Sequence, residues 1–337
     1  MIRKASLMSE RTNPDRNLAL EMVRVTEVAA IAASRFMGRG DKEAADGAAV
    51  DAMRSQLSLV AMDGTVIIGE GEKDEAPMLF NGETIGNGEP PKVDIAVDPI
   101  DGTTLTALGR SNALAVIAAS EGGTMFDPGP CVYMNKIAVG PAAAGAIDIR
   151  KTATENLELI ADTMNKRLSN LTAVILDRDR HVELIKEVRA AGARIRLIPD
   201  GDVAGAISTA WPDAGADVLL GIGGTPEGVI SAAALAAMGG DQQGLLWPRN
   251  AAEKDEAIEA GYDLDKVLYN RGHGQCRQLL LRRDRYHRRR SPPGSPFRPG
   301  CCTDPVARHA IAFGHRPPHR RPTPTRKSRP RLSAARV

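Results

Sequence analysis

The sequence predicts an α/β fold in which helix and sheet layers alternate, followed by a tail of different composition. Three observations lead to this expectation. The chain starts with two segments of helical spacing, its middle carries short β-branched runs between glycines and acids, and from about residue 155 strand, loop and helix alternate regularly. A chain of 337 residues with 42% apolar content can bury a substantial core.

Two helices are predicted at the start of the chain. Asn13 and Pro14 favour a helix start, because asparagine caps free backbone amides and proline suits the first helical position. This helix is expected to run to about Met37 and to end at Gly38. Asp41 is expected to cap a second helix, since apolar residues between positions 45 and 57 recur at helical spacing.

Strands are predicted at 65–68, 93–97, 113–119 and 136–139, which gives the first half a sheet behind its two helices. In the second half, strands at 172–176, 194–198 and 218–222 each lead to a polar loop and then a helix. In sheets of this kind, ligands gather at the carboxyl ends of the strands, where these three loops lie.

Composition excludes several classes of protein. No run of about 18 apolar residues occurs, and the polar start of the chain lacks the apolar stretch of a secretory signal, so we expect a cytoplasmic protein. Four cysteines without regular spacing predict neither a disulfide framework nor a zinc site. Aromatic residues make up only 3% of the chain, which argues against stacking platforms for single-stranded nucleic acid.

Carboxylates follow strands or open helices at four places, and their convergence would form a metal site. Hard cations such as Mg²⁺ and Mn²⁺ prefer oxygen ligands, and paired cations serve phosphate chemistry. The four acidic segments are 41–46, 70–75, 98–101 and Glu227.

The segment 98–104 is the most specific of these motifs. A strand ends in Asp98, proline fixes the turn, and Asp101 follows. Gly102, Thr103 and Thr104 then offer backbone amides that can hold a phosphate, and the Thr103 hydroxyl could orient an attacking water. An acidic turn that merely caps a helix is the alternative.

These residues resemble the signature of the lithium-sensitive, metal-dependent phosphatase superfamily. Five further segments, 38–42, 45–49, 68–72, 74–78 and 222–228, narrow the resemblance to the class II fructose-1,6-bisphosphatases of bacteria, some of which also act on sedoheptulose 1,7-bisphosphate. The resemblance runs from about residue 17 to residue 268. It implies a sugar-phosphatase fold, with a metal- and phosphate-binding domain at 1–150 and an incomplete substrate domain at 151–268.

The resemblance also implies roles for individual residues. Asp101 departs mildly from the pattern, since some relatives carry glutamate there. The implied metal ligands are Asp46, Glu70, Asp98, Asp101 and Glu227. The implied catalytic residues are Lys42, Glu72, Asp74 and Thr103. The implied substrate contacts are Asp101, Gly102, Thr103, Tyr133, Arg178, Asp179, Arg180, Asp200, Gly201, Asp202 and Gly224.

A bisphosphate needs a second anion site, and Arg178 and Arg180 offer guanidinium groups for it. Each of these assignments has a plainer alternative. The two arginines could be a solvated helix start, Tyr133 a core residue, and Asp200 and Asp202 turn formers or caps; Glu72 and Asp74 could be loop charges. We interpret His181 as a surface helix residue rather than a general acid.

The tail from 269 to 337 differs sharply from the body. It carries 18 of the 44 basic residues but two of the 42 acids, and three of the four cysteines. We interpret it as a frameshift product. Codons for the residues from 269, read one base later, allow the string TTEDMVSADNCFFAATGITDGDLLRGVRF, and the same shift at 306–321 allows approximately QSLVMRSHSGTVRRID; both resemble the family's usual carboxyl-terminal segment.

The sequence therefore predicts metal-dependent hydrolysis of fructose 1,6-bisphosphate, in an enzyme that the resemblance implies to be a homodimer or homotetramer. The alternatives are another phosphate monoester, such as sedoheptulose 1,7-bisphosphate or an inositol phosphate, and an inactive remnant. A basic-tailed module for nucleic acid is a further alternative, although the tail lacks interleaved aromatic residues.

Overall fold

The computed structural model describes residues 18–70 and 79–270 in full and the backbone of residues 310–313. Within these ranges the chain forms two mixed sheets and three helical layers. No helix in the described ranges is long and apolar enough to cross a bilayer.

Two helices open the described chain, as predicted. Helix α1 spans Leu18–Ser34 and α2 spans Lys42–Leu57. Asp41 caps α2, because its side chain accepts a hydrogen bond from the backbone N–H of Ala44 at 2.9 Å. The predicted start of α1 at Asn13 and Pro14 lies outside the described residues, and α1 ends about one turn before Gly38.

The first sheet has five strands in the order β11-β4-β3-β1-β2. Strands β1 and β3 are parallel, and the other neighbouring pairs are antiparallel. Strand β3 is buried along nearly its whole length, and its three aspartates, Asp94, Asp98 and Asp101, are buried together with its apolar residues. The strands span Asp63–Ile68 (β1), Thr84–Ile85 (β2), Lys92–Asp101 (β3), Leu114–Glu121 (β4) and Ala310–Phe313 (β11).

The second sheet has six strands in the order β10-β9-β5-β8-β6-β7. Strand β6 is parallel to both β7 and β8, as expected from the alternation of strands and helices. Strand β5 precedes residue 150, yet it pairs with β8 and β9, which follow that residue. The sheet therefore crosses the predicted division of the chain at residue 150, and that division stays a prediction. The strands span Tyr133–Val139 (β5), Thr172–Leu176 (β6), Arg194–Ile198 (β7), Val218–Gly224 (β8), Asp241–Leu246 (β9) and Leu268–Tyr269 (β10).

The hydrophobic clusters define five layers. Helices α1 and α2 pack on one face of the first sheet. The other face shares a core with α6, α7 and the second sheet, so these two helices lie between the sheets. Helices α4 and α5 cover the far face of the second sheet. The remaining helices span Thr103–Ala107 (α3), Ala153–Thr163 (α4), Val182–Ala190 (α5), Asp202–Ser208 (α6), Thr225–Met238 (α7) and Ala251–Glu259 (α8).

Helix α7 shows why the layers alternate. Most of its residues are small or apolar, and nine of them are buried. A helix that is apolar all round is stable only when both of its sides are covered, and the two sheets provide that cover. The predicted α/β fold with alternating layers is confirmed.

Residues 268–270 continue the fold slightly beyond the predicted break. Leu268 and Tyr269 pair with β9. The buried Asn270 side chain donates to the carbonyl of Gly240 and accepts from the backbone N–H of Gln242. Within the tail, Ala310–Phe313 adds a strand beside β4, where the sequence predicted none.

Candidate functional site

One cavity of about 330 Å³ lies where the two sheets and the helix starts meet. It is lined by Asp98 and Asp101 of β3, by Glu70 just after β1, and by Asp46 of α2. The loops after β6, β7 and β8 line its other side, at the strand ends where ligands are expected to gather.

A bulge in β3 brings its two acids to the same cavity. Asp98 lies opposite Val116 of β4, whereas Asp101 lies opposite Leu114, so β3 contains one residue more than its partner in this stretch. Side chains three apart on a regular strand face opposite sides of the sheet. The extra residue shifts the alternation and re-aims the second carboxylate, so that both line the cavity.

The carboxylates repel one another and are poorly solvated. Burial raises the pKa of Glu70 to about 8, with repulsion from Asp46 and Glu227 adding to the effect. Burial and then repulsion from Asp101 raise the pKa of Asp98 well above its ordinary value. The pKa of Asp101 is raised in the same way, by burial and then by Asp202.

The remaining two acids follow the same trend. Burial raises the pKa of Asp46. Burial and then repulsion from Asp202 raise the pKa of Glu227, and the Glu227 Oε2 atom is buried without a hydrogen-bond partner among the described residues. The cavity therefore holds more negative charge than the protein itself compensates.

This excess of oxygen ligands and charge fits a hard divalent cation. In the described ranges, no three acid, histidine or cysteine side chains already stand close enough together to enclose an ion. The raised pKa values and the unpartnered Glu227 oxygen nevertheless show where positive charge would stabilise the site. The residues that would hold it are the five predicted ones, Asp46, Glu70, Asp98, Asp101 and Glu227.

The turn after β3 forms the predicted loop. Gly102 has φ of 92°, a left-handed conformation that glycine tolerates, and α3 begins directly after it. The Thr103 hydroxyl donates to the carbonyl of Ile100 at 3.2 Å. The backbone N–H of Thr104, predicted to be available for a phosphate, donates to Asp200 Oδ2 at 3.3 Å.

The arginines line the cavity on the side of the second sheet. Arg180 donates twice to the carbonyl of Ile222, at 3.1 and 3.0 Å, and its guanidinium carbon lies 4.9 Å from the centre of the Tyr133 ring. Arg178 donates to the carbonyl of Asp177 and lies 3.9 Å from Asp200. Arg180 is exposed at a helix start, as that alternative describes, but its two hydrogen bonds to Ile222 hold it in place.

The structure brings most of the predicted site residues together. Gly201 caps α6 with φ of 81°, and a Cβ built on it would lie 3.6 Å from Asp101 Oδ2. Lys42, at the start of α2, and Asp179 are exposed and do not line the cavity. Glu72 and Asp74 lie outside the described residues.

The interpretation of His181 as a surface residue is wrong. Its side chain is only 2% exposed, with Nδ1 bonded to the carbonyl of Leu176 and Nε2 accepting from the backbone N–H of Ile222. This imidazole joins the ends of β6 and β8. Burial lowers the pKa of His181, which is consistent with a neutral ring that accepts at Nε2.

Sequence reasoning missed Lys136. It lies on β5 with 2% exposure, and its ammonium is 2.6 Å from Asp202 Oδ2. A lysine in the middle of the buried apolar run of β5 was the available signal, because lysine is almost never fully buried unless it is paired.

Comparison with known proteins assigns the family. The family model for bacterial fructose-1,6-bisphosphatase, glpX-encoded, matches residues 16–272. The chain belongs to this family. All of the site residues that the sequence predicts for this bacterial fructose-1,6-bisphosphatase family member lie within the matched region.

Close relatives of this family member are class 2 enzymes. Fructose-1,6-bisphosphatase 1 class 2 of Escherichia coli strain K12 is 52% identical over 240 residues, which is 71% of each chain. The class 2 fructose-1,6-bisphosphatases of Escherichia coli O6:H1 and Shigella flexneri show the same identity and coverage. A solved structure of an extragenic suppressor from Pyrococcus furiosus covers 57% of this chain and 69% of its own, at 15% identity and a TM-score of 0.29, too weak a likeness to support an inference.

Proposed function

We propose that this chain hydrolyses D-fructose 1,6-bisphosphate to fructose 6-phosphate and phosphate. One observation carries the proposal: a single cavity combines five carboxylates, which suit a divalent cation, with Arg178 and Arg180, which suit a phosphate. A monophosphatase would not need the second anion site. The class 2 relatives, at 52% identity, are named for this substrate.

In the proposed reaction, a water oxygen attacks the 1-phosphorus and the bond from phosphorus to the sugar oxygen breaks. The attacking water gives up one proton, and the sugar oxygen takes up one proton, so that the reaction balances. A divalent cation, Mg²⁺ or Mn²⁺, would supply the positive charge that activates water and neutralises the leaving oxygen. The five carboxylates would hold that charge in place.

Thr103 is suited to orient the attacking water. Its hydroxyl donates to the carbonyl of Ile100 at 3.2 Å, which fixes the direction of its proton. A hydroxyl that donates once keeps its acceptor lone pairs, so Thr103 can accept a hydrogen bond from water at the cavity wall. A step of this kind needs no histidine.

The second phosphate would lie against the arginines. Arg180 is held by the carbonyl of Ile222 and by the Tyr133 ring, so little freedom is lost when it binds an anion. Arg178 is attached more loosely. A phosphate could displace the weak contact of Arg178 to Asp200.

Phosphate release from fructose 1,6-bisphosphate by the purified chain, with Mg²⁺ or Mn²⁺, tests the proposal. We expect turnover that chelation abolishes, and an Arg178→Gln variant with KM raised about tenfold. Arg189→Gln, at an exposed position of α5, is the matched control and should leave KM unchanged. A higher kcat/KM for sedoheptulose 1,7-bisphosphate or an inositol phosphate would transfer the assignment to that substrate.

We further propose membership of the lithium-sensitive phosphatase superfamily, a homodimeric or homotetrameric assembly, and the division of the body at residue 150. The frameshift proposal gains support from the family match, which ends at residue 272, within a few residues of the predicted break.

A further inference from the structure

Lys136 lies in the second sheet beneath the cavity. Strand β5 runs between β8 and β9, so a side chain in its middle has strands on both sides. The neighbouring residues Met134, Ile137 and Ala138 are buried and apolar. A lysine at 2% exposure in such surroundings requires partners for its charge.

Both of its partners belong to the wall of the cavity. The ammonium lies 2.6 Å from Asp202 Oδ2 and donates to the carbonyl of Gly224 at 3.1 Å. Asp202 and Gly224 line the cavity, whereas Lys136 does not. Asp202 is itself only 6% exposed, so neither charge can turn to water if the other is removed.

The backbone packs directly against this ion pair. A Cβ built on Gly223 would lie 2.0 Å from Asp202 Oδ2 and 3.0 Å from Lys136 Nζ. Only glycine leaves room for the pair at this position. Gly223 and Gly224 lead straight into α7, whose first turn carries Glu227, so the pair sets the path of the chain into the acidic side of the cavity.

We propose that Lys136 is a positioning residue of this site, whose buried ammonium holds the Asp202 carboxylate and the Gly224 carbonyl in place for the sugar phosphate. The inference rests on the proposed function. Without the ammonium, Asp202 would stand unpaired beside Asp101 and Glu227, which already repel it. The carboxylate would then leave its position at the wall of the cavity.

The test is Lys136→Met in the full chain. We expect KM for fructose 1,6-bisphosphate to rise at least about tenfold, with the loss in kcat/KM arising mainly from KM. Calorimetric binding of fructose 6-phosphate, which needs no turnover, should weaken by a similar factor. Lys136→Arg keeps a charged donor and should recover part of the lost affinity.

A second lysine–aspartate pair provides the control. Lys166 Nζ lies 2.6 Å from Asp217 Oδ1, and Asp217 also accepts from the backbone N–H of Thr172, at the amino ends of β6 and β8 and away from the cavity. Lys166→Met should lower Tm but leave KM and fructose 6-phosphate binding within about twofold, because this pair is structural only.

Gly223→Ala tests the same idea if Lys136→Met does not fold. The added methyl group would push into the pair without removing a charge, so sugar-phosphate binding should weaken likewise. Binding within twofold of the unmodified chain in a folded Lys136→Met or Gly223→Ala variant would overturn the proposal, as would an equal effect of Lys166→Met. Fructose 6-phosphate binding without phosphate release would overturn only the proposed function, whereas absence of binding would overturn both.

Discussion

Asp101 Oδ2 accepts a hydrogen bond from the backbone N–H of Ala204 at 3.1 Å, across 103 residues of sequence. A second hydrogen bond links the same two loops in the opposite direction, since Asp200 Oδ2 accepts from the backbone N–H of Thr104. Each loop thus places a carboxylate at the start of the other's helix, where partial positive charge stabilises it. The two sides of the cavity are tied together by the acids that line it.

Replacing Asp101 with asparagine separates its charge from its hydrogen bond. Asparagine keeps an oxygen that can accept from Ala204 but removes one ligand charge, so kcat/KM should fall at least about 100-fold while Tm stays the same or rises. Phosphate-release kinetics and a thermal melt provide both readings.

Asp94 is the matched control for this substitution. It is a buried acid on the same strand whose Oδ2 accepts from the backbone N–H groups of Thr124 and Met125, outside the cavity. Asp94→Asn should lower Tm and leave kcat/KM nearly unchanged. An Asp101→Asn variant with more than a tenth of the original activity would contradict the assignment of Asp101 as a metal ligand.

Without metal, the chain should lose stability as pH rises from about 5 to about 8. The pKa of Glu70 is raised from 4.5 to about 8, so in this window the folded chain binds more protons than the unfolded chain, and the free energy of unfolding decreases with pH. Metal-free melts at several pH values measure this slope.

Saturating Mg²⁺ should reduce the slope, because the cation competes with the protons on the carboxylates. The Glu70→Gln variant, which cannot titrate at this position, should show a shallower slope than the unmodified chain. A metal-free Tm that increases across this range would show that the cluster does not titrate as described.

His181 should prove structural. Its alanine variant leaves the carbonyl of Leu176 and the N–H of Ile222 without their partner, and should lower the free energy of unfolding by about 2–4 kcal/mol. Because the ring does not line the cavity, kcat should change less than about tenfold. Urea unfolding and steady-state kinetics separate the two effects; lost turnover at unchanged stability would instead indicate a general acid.

Removing one nucleotide near codon 269 should improve folding. Strand β4 is buried along six of its eight residues, but among the described residues the tail strand β11 pairs with residues 116–119 of it alone, and an incompletely covered strand edge promotes aggregation. We therefore expect the frame-restored protein to be more soluble, with Tm higher by at least about 5 °C. A stop codon after residue 270 is the control, and equal stability of the truncated and restored proteins would show that the restored segment adds nothing. Sequencing of the gene decides whether the shift exists.

Much of the fold was predictable because local patterns carry it. Asp41 caps α2 because its own side chain reaches a backbone amide three residues away, and strands β6 and β7 begin and end where the β-branched runs do. The acidic segments that line the cavity stood out because they follow strands or open helices, and the resemblance then singled out the individual acids. Lys136 and His181 were not, because their burial depends on neighbours far along the chain.

By itself, the sequence determined the order of helices and strands, the acids and arginines available to the site, and the change of composition after residue 268. Only the tertiary structure decided that the bulge turns Asp98 and Asp101 to one side, that Arg180 is anchored on Ile222, and that Lys136 pairs with Asp202. The physical reason is the distance along the chain over which each interaction acts. Helix caps and hydrophobic periodicity depend on residues a few positions apart, whereas burial and charge pairing depend on which strands pack side by side.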